Sequence, residues 1–252
     1  MSTHRVVWIT GASSGIGAAL AREMADHGWQ VAASGRDRAR LASVCEHLPA
    51  AIHAFPLDVT DRAANRSVVA AIESRLGPID LAVFNAGVGS AFSVDRFDAE
   101  DVFSRMQINY GGAVNGIDAV LASMRSRRAG HIALTASVAG FRGMPGAAPY
   151  CASKAAMIAL AESLRPDLAA RGIDISVITP GFVATPLTAK NRFPMPFIIE
   201  PDEAARRIRR GLAARRFEIT FPRRLSYMLK VLQRLPYAAY FPLIQRIAGR
   251  NS

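Results

Sequence analysis

Short apolar runs alternate along the chain with longer stretches in which apolar residues recur at helical spacing. The runs are rich in β-branched residues and predict strands at Arg5–Thr10, Gln30–Ser34, Ala51–Pro56, Leu81–Asn85, His131–Ala136 and Ile173–Thr179. The longer stretches predict helices at Gly15–His27, Ala63–Leu76, Gly112–Arg127 and Tyr150–Ala170. Because the strands are nearly continuous apolar runs, we expect both of their faces to be buried. The pattern indicates an α/β fold in one domain, residues 1–252, with a parallel sheet covered by helices on both faces.

The last part of the chain, residues 221–252, forms a basic amphipathic extension of this pattern. A further strand is predicted at Phe217–Thr220, and Pro236 separates two helical segments. The apolar positions of the first segment are Leu225, Met228, Leu229, Leu232 and Leu235, with Arg224, Lys230 and Arg234 on other faces. The second segment, Tyr237–Gly249, has apolar positions at Tyr240, Phe241, Leu243, Ile244 and Ile247.

The net charge of +11 is concentrated in the C-terminal fifth of the chain. Pro201–Ser252 holds twelve Lys or Arg against three Asp or Glu, so the remainder is nearly balanced. No nucleic-acid reading module accompanies these arginines, and we expect no nucleic-acid partner. Two hypotheses stay open for the extension. Its cationic amphipathic helices contact an anionic membrane surface, or they cover the substrate cleft or a subunit interface.

The composition is that of an ordered globular protein, with half of the residues apolar and a fifth charged. Cys45 and Cys151 are too few for a disulfide framework or a zinc cluster, so we expect a reducing compartment and no metal. The N-terminal residues lack the apolar stretch of a secretory signal, and no apolar run reaches about eighteen residues. We therefore expect a cytoplasmic location, with the inner face of a membrane as the alternative.

A glycine-rich turn, Gly11–Gly17, follows the first predicted strand and leads into a helix. Glycines at this point allow a tight turn and let backbone amides approach a diphosphate at the helix N-terminus. The candidate phosphate-binding residues are Gly11, Ser13, Ser14, Gly15, Ile16 and Gly17. The alternative is a small-residue turn with a structural role only.

The end of the second strand bears on the choice of dinucleotide. An acidic residue there binds the ribose hydroxyls of NAD, whereas an arginine accommodates the 2′-phosphate of NADP. The segment has Gly35 in the acidic position and Arg36 next, which favours NADP(H), and Asp37 is interpreted as a helix cap. Asp58 and Val59 follow the third strand, where a carboxylate can meet the adenine amino group, although Asp58 could equally cap the next helix.

Tyr150 and Lys154 are four residues apart on a predicted helix, so the two side chains share a face. A cation held close to a phenol favours the phenolate, and we expect Lys154 to lower the pKa of Tyr150 from about 10. Ser137 lies thirteen residues before Tyr150 and supplies a hydroxyl. A phenol, an ammonium and a hydroxyl that meet in space can transfer a proton.

These motifs together resemble the short-chain dehydrogenase/reductase family over the first 190 residues. The matching positions are Gly11–Gly17, Asp58-Val59, Asn85-Ala86-Gly87, Asn109, Ser137, Tyr150, Lys154 and Pro180-Gly181. The resemblance implies a Rossmann-type, mostly parallel, doubly wound sheet of seven strands. It also implies a catalytic tetrad of Asn109, Ser137, Tyr150 and Lys154.

The resemblance implies a role for each residue. Tyr150 exchanges a proton with the substrate oxygen while hydride moves at the nicotinamide, Ser137 donates to that oxygen, and Lys154 also binds the nicotinamide ribose. Asn109 is implied to kink its helix and to hold a water that links Lys154 to solvent, with an ordinary polar helix residue as the alternative. The turn Asn85-Ala86-Gly87 is interpreted mainly as structural, because it stabilises the sheet and passes close to the cofactor. Further cofactor contacts are implied for Asn85, Ala86, Gly87, Pro180, Gly181, Val183 and Thr185.

Substrate selectivity is expected from Val138–Pro149 and from a lid at residues 186–200. Apolar side chains in these loops suit a lipophilic carbonyl or alcohol, or else they simply pack on the body of the protein. The apolar residues are Phe141, Met144, Pro145, Phe193, Met195, Pro196 and Phe197.

The sequence therefore predicts an NADP(H)-dependent oxidoreductase that interconverts a carbonyl and an alcohol. The partners expected are a small-molecule substrate and further copies of the chain in a homodimer or homotetramer. An NAD(H)-dependent alcohol dehydrogenase is one alternative. A dinucleotide-binding sensor or membrane-surface protein without turnover is another.

Overall fold

A computed structural model describes residues 5–89, 91–191 and 194–249. Within these ranges seven strands form one sheet in the order β3-β2-β1-β4-β5-β6-β7. The strands are β1 (Val6–Thr10), β2 (Gln30–Ser34), β3 (Ile52–Ala54), β4 (Ile79–Phe84), β5 (Gly130–Thr135), β6 (Ile173–Pro180) and β7 (Glu218–Phe221). The predicted strands are confirmed, with ends displaced by at most two residues. Every pairing is parallel.

The helices that cover the sheet include three that the sequence analysis did not predict. They are α1 (Gly15–Asp26), α2 (Arg38–Cys45), α3 (Arg62–Leu76), α4 (Ala99–Met106), α5 (Gly112–Arg127), α6 (Ala148–Ala169), α7 (Pro201–Ala213), α8 (Arg223–Gln233) and α9 (Tyr237–Gly249). The unpredicted helices are α2, α4 and α7. Helices α2 and α4 are only eight residues long, and α7 carries four arginines, so each has few large apolar residues to mark it in the sequence.

Buried apolar side chains form a core on each face of the sheet. Along β1, Val7 and Ile9 belong to the core that contains α1 and α7, whereas Val6 and Trp8 belong to the core that contains α3, α5 and α6. All four are at most 1% exposed, which explains why this strand is apolar without alternation.

The strand order creates a crevice at the carboxyl end of the sheet. β1 lies between β2 and β4, so the chain leaves the centre first toward one edge and later toward the other. In such sheets the connections diverge at this switch point and leave room for a ligand. The loops after β1 to β6 all open onto this end, and they hold most of the candidate site residues.

The extension continues from β7 into α8 and α9. Among the described residues, no helix has both the length and the apolar composition needed to cross a membrane. Leu225 is buried as predicted, but Met228 is 62% exposed and shares an outward face with Tyr227 and Val231.

His131 of β5 is partly buried, and it is neutral in the folded protein near neutral pH. Burial lowers its pKa to about 4, although the carboxylate of Asp174 opposes this effect. Its Nε2 is 2.8 Å from Oγ of Ser176 on the neighbouring strand.

This burial predicts a pH dependence of stability. An unfolded histidine titrates near 6.5, so between about pH 6.5 and pH 4 the unfolded chain binds more protons and stability falls as the pH drops. We expect His131 to remove about 2 kcal/mol of unfolding free energy between pH 7 and pH 5. Denaturant titrations of His131→Gln should show a pH effect smaller by that amount, whereas the exposed-site control His27→Gln should keep it. An unchanged pH effect in His131→Gln would contradict the assignment.

Candidate active site

The glycine-rich turn after β1 leaves no space for side chains at two of its glycines. A Cβ at Gly11 would lie 2.7 Å from Cα of Ala86, and a Cβ at Gly17 would lie 2.2 Å from the carbonyl oxygen of Gly11. Gly11 and Gly15 also have positive φ, at 67° and 55°. The turn therefore requires glycine at these positions, and Ser14 begins α1 without a side-chain capping bond. Amides at such a helix start are suited to bind a phosphate.

A cavity of about 1010 Å³ runs from this turn to Ser137 and Tyr150. Most of the predicted site residues line it. They are Gly11, Ser13, Ser14, Gly15, Ile16, Arg36, Asp58, Val59, Asn85, Ala86, Gly87, Ser137, Tyr150, Lys154, Pro180, Gly181, Val183 and Thr185. Gly17 and Asn109 do not belong to the lining. Gly17 packs α1 against the turn, and Asn109 lies fully buried behind the cavity wall.

One end of the cavity is lined by two arginines, Arg36 and Arg40. Asp37 caps α2, because its Oδ1 accepts from the Arg40 backbone amide at 3.0 Å, and this prediction is confirmed. Its Oδ2 lies 3.2 Å from Nε of Arg40. Sequence analysis missed Arg40 because α2 was not predicted. Arg40 lies three residues after Asp37, where the backbone amide binds the capping side chain, and this spacing is the signal in the sequence that could have indicated it.

Asp58 does not cap the helix that follows it. Its Oδ1 accepts from the Thr60 amide at 3.0 Å and from the Thr60 hydroxyl at 2.8 Å, and these bonds lower the pKa of the carboxyl. Asp61 instead caps α3 by accepting from the Ala64 amide at 2.9 Å. The capping alternative for Asp58 is therefore wrong, and its ionised carboxylate stands exposed at the cavity wall.

Helix α6 presents Tyr150 and Lys154 one turn apart, and Ser137 directly follows β5. Lys154 is 3% exposed, its Nζ donates to the Thr135 carbonyl at 2.7 Å, and burial lowers its pKa to about 8. Its Nζ lies 5.7 Å from the centroid of the Tyr150 ring. The expected lowering of the Tyr150 pKa is not found. Burial raises this pKa, and the hydrogen bond with Ser137 only partly opposes the effect.

Asn109 lies in a π-helical segment, Gln107–Gly111, between α4 and α5, so the expected helix distortion is confirmed. Its carboxamide exchanges two bonds with the Val88 backbone, of 2.7 and 3.0 Å, and donates to Oγ of Ser153 at 2.9 Å. It thereby ties the loop after β4 to α6. A Cβ at Gly87 would be 3.2 Å from Asn109 Oδ1 and 3.4 Å from Lys154 Nζ, so both atoms border one small space.

Three threonines that sequence analysis missed hold or line the site. The Thr10 hydroxyl accepts from the Asn85 and Ala86 amides at 3.1 and 3.2 Å, which confirms a structural role for this turn. The Thr188 hydroxyl donates to the Val183 carbonyl and accepts from the Thr185 amide at 3.0 Å. Thr135 lines the cavity, and its Oγ1 is buried without a hydrogen-bond partner among the described residues.

Two loops lie on the expected substrate side. Phe141 and Met144 are partly buried, and no residue of Val138–Pro149 lines the cavity, so the contribution of this loop to substrate selectivity stays a prediction. Leu187 approaches the ring of Tyr150, since a Cβ at Gly89 would contact both. The predicted lid residue Phe193 lies outside the described residues. The other apolar lid residues are Met195, Pro196 and Phe197, and the last of these is 46% exposed.

Comparisons with known proteins agree with this geometry. A profile of the short chain dehydrogenase family matches residues 5–195. An uncharacterized oxidoreductase of Myxococcus xanthus is 37% identical over 97% of this chain and 98% of its own length. The 3-oxoacyl-[acyl-carrier-protein] reductase FabG of Thermotoga maritima is 34% identical over 80% of this chain and 87% of its own.

A solved structure is similar to the whole arrangement. A variant of the actinorhodin polyketide ketoreductase, solved with NADPH, has a TM-score of 0.80 and 28% identity, covering 87% of this chain and 96% of its own. The fold and the buried Ser, Tyr and Lys side chains are those of a dinucleotide-binding oxidoreductase that acts on a carbonyl/alcohol pair. The chain belongs to the short-chain dehydrogenase family.

The residues present fit a nicotinamide dinucleotide. The turn at Gly11–Gly17 forms a cradle that side chains would fill, and Thr135, whose buried hydroxyl has no partner among the described residues, belongs to the lining of the same cavity. Arg36 and Arg40 lie at one end of the cavity, whereas Ser137 and Tyr150 lie at the other. The cavity therefore has a cationic end and a proton-transfer end.

Proposed function

We propose that this protein is an NADP(H)-dependent oxidoreductase that interconverts a carbonyl and an alcohol on a lipophilic substrate. The observation that carries the proposal is the placement of Ser137, Tyr150 and Lys154 on the wall of one cavity, with the glycine-rich turn on the same wall. The bound cofactor would supply or accept the hydride. The side chains of this protein handle the proton and the charge on the substrate oxygen.

Tyr150 is the proton donor for reduction. Burial raises the pKa of its phenol, so the group stays protonated near neutral pH and can donate to a carbonyl oxygen that gains negative charge. Ser137 partly opposes that rise in the Tyr150 pKa, and its hydroxyl, which makes only a long 3.4 Å bond to the Pro180 carbonyl, can donate to the same substrate oxygen. Two donors converging on one oxygen stabilise the charge that develops there.

Lys154 and Asn109 form the proposed route for renewing the proton. Lys154 has a pKa of about 8, so its ammonium can exchange a proton near neutral pH. Both side chains border the small space beside Gly87. A water in this space would connect Lys154 to solvent, which is the role that we propose for Asn109 in addition to its structural bonds.

Replacing Tyr150 tests the function directly. We expect Tyr150→Phe to lower carbonyl-reduction kcat by about a thousandfold, the middle of the range for a lost general acid. NADPH affinity, measured by calorimetry, should change little because the aromatic ring remains. Tyr227→Phe, at an exposed tyrosine of α8, is the matched control and should keep full activity. Retention of most activity in Tyr150→Phe would overturn the proton-transfer role of this residue. Absence of turnover in the full chain would favour a dinucleotide-binding sensor.

The preference for NADP(H) is supported by charge at the end of the cavity. Arg36 and Arg40 both line it, and Gly35 occupies the position where an acidic residue would bind ribose hydroxyls. Asp37, which follows Arg36 in the cavity lining, is occupied as the cap of α2 and as the partner of Arg40. The ketoreductase with a similar structure was also solved with NADPH.

Arginine substitutions separate NADP(H) from NAD(H). We expect Arg36→Ala to weaken NADPH binding by about tenfold or more, because a charged hydrogen bond contributes about 1.5–3 kcal/mol. Arg40→Ala should have a smaller effect of the same kind, and NADH binding should be unchanged in both. Arg38→Ala, an exposed arginine outside the cavity lining, is the control. Equal losses of affinity for NADPH and NADH, measured by titration calorimetry, would contradict the preference for NADP(H).

A lipophilic substrate is supported by the apolar residues around the open end of the cavity. Leu187 lies near the Tyr150 ring, and Ile198 and Phe197 of the lid expose 43% and 46% of their surface. The relatives named for acyl and polyketide substrates point in the same direction. Ordering of residues 186–200 over the substrate stays a prediction.

The extension supports a second proposal, contact with an anionic membrane surface. Tyr227, Met228 and Val231 of α8 are 60–66% exposed, and Tyr237 and Phe241 of α9 are 70% and 53% exposed. The neighbouring arginines Arg223, Arg224, Arg234 and Arg246 are exposed as well. Exposed aromatic and aliphatic side chains among cations suit the interface of a bilayer that contains acidic lipids.

Vesicle sedimentation tests this contact. The full chain should co-sediment with phosphatidylglycerol vesicles at low salt, and less with phosphatidylcholine vesicles or at high salt. Met228→Glu combined with Val231→Glu should abolish the binding. Val94→Glu, at an exposed apolar residue of another region, should not. If the full chain does not co-sediment with phosphatidylglycerol vesicles, the proposed membrane contact is wrong.

The other expectations stay predictions. The exposed rings of Phe97 and Phe103 are consistent with burial in a homodimer or homotetramer. The cytoplasmic location and the single domain over residues 1–252 likewise await tests. The molecular mass of the protein in solution decides its oligomeric state.

A further inference from the structure

The loop between Ser137 and Tyr150 is anchored by hydrogen bonds at both ends, whereas its centre depends on contacts with other parts of the chain. At one end the Ser137 hydroxyl accepts from the Ala139 amide at 3.1 Å, and at the other Ala147 accepts from the Cys151 amide at 2.8 Å in the first turn of α6. In the centre, a Cβ at Gly143 would meet no atom within 4 Å, and Gly146 has a φ of 74°. Glycines in open space give the chain little intrinsic stiffness.

Arg142 connects the centre of this loop to the end of α8. Its Nη1 donates to the carbonyls of Leu232, Gln233 and Leu235, at 2.9, 2.9 and 2.7 Å. Carbonyls at a helix C-terminus lack intrahelical partners, and a cation there also meets the negative end of the helix dipole. One guanidinium thus satisfies the end of α8 and holds the loop.

Helix α9 holds the same part of the loop. The Arg142 guanidinium lies 3.8 Å from the ring centroid of Tyr240 and 5.0 Å from that of Tyr237, so it also makes cation–π contacts. The Tyr240 hydroxyl donates to the Gly143 carbonyl, and Tyr240 is only 3% exposed. Two consecutive loop residues are therefore attached to α9.

A third contact lies one residue earlier in the loop. The ammonium of Lys230 on α8 is 5.3 Å from the ring centroid of Phe141, and it is paired with Glu218 of β7. Residues 141–143 all contact the extension as a result. On the opposite side, the loop has a bond from the Phe92 amide to the Gly146 carbonyl at 2.8 Å.

We propose that α8 and α9 act as a clamp that fixes the substrate side of the active site, with Arg142 and Tyr240 as positioning residues. No described residue of the extension lines the cavity, so the clamp acts through the loop and not by direct contact with the cofactor space. The loop joins Ser137 to Tyr150, the two residues that approach the substrate oxygen, and it is one of the two loops from which substrate selectivity is expected. The inference rests on the proposed carbonyl chemistry.

The clamp predicts separate effects on the kinetic constants. Because both ends of the loop are anchored independently, Ser137 and Tyr150 keep their places when the clamp is lost, and kcat is retained. The centre of the loop then loses its fixed position, and part of the free energy of substrate binding is used to order it. KM for the carbonyl substrate rises, whereas the affinity for NADPH stays unchanged.

The experiment compares Arg142→Ala, Arg142→Lys and Tyr240→Phe with the full chain. Arg142→Ala should raise KM by about tenfold with kcat within about threefold, and Tyr240→Phe, which removes only the hydroxyl, should raise it by about threefold. Arg142→Lys should not restore KM, because an ammonium lacks the planar group that reaches three carbonyls and stacks on a ring. Arg234→Ala, at an exposed arginine beside the end of α8, is the control.

A second measurement does not depend on activity. Hydrogen exchange of residues 138–147, in the protein without cofactor, should become faster in Arg142→Ala while β5 and α6 keep their protection. Unchanged KM and unchanged exchange would overturn the clamp. A parallel loss of kcat, NADPH affinity and cooperative unfolding would also overturn it, since Arg142 would then support the fold as a whole. Absence of turnover in the full chain would reject the proposed function, and the exchange result would still decide whether the clamp exists.

Discussion

The parallel pairing of β1 with both β2 and β4 is the constraint on which the rest of the structure depends. It places a strand without solvent contact at the centre of the sheet, and it makes the connections diverge at the carboxyl end. The glycine-rich turn, Ser137 and the loop after β6 all come together at that end. Their distance along the sequence is large, yet the geometry of the sheet leaves them around one cavity.

Burial determines the electrostatics of this cavity. Lys154 is almost fully buried and donates to a backbone carbonyl instead of to the phenol, and its pKa falls to about 8. Tyr150 is partly exposed at the cavity wall, but desolvation of its phenol raises its pKa. Desolvation disfavours the charged form of each group and is the largest cause of both shifts. The pair is thus arranged as a proton donor and a labile ammonium, which suits reduction of a carbonyl.

The extension has two different faces, and they bear on different parts of the function. Its inner face, with Tyr240 buried and Lys230 paired to Glu218, packs on the loop that leads to Tyr150. Its outer face exposes Met228 and Val231. The clamp depends on the inner face, whereas the proposed membrane contact depends on the outer face.

The sequence by itself determined the features that depend on local spacing. The apolar periodicity located the seven strands to within two residues, and the glycine spacing and the Tyr150–Lys154 interval located the site. The tertiary structure decided the direction of the Tyr150 pKa shift, the inclusion of Arg40 in the cavity wall, and the assignment of the α3 cap to Asp61 instead of Asp58. It also decided the contact of Arg142 with α8, ninety residues away. Burial and long-range contacts leave no periodic trace in the chain, because they depend on which surfaces meet after the sheet has formed.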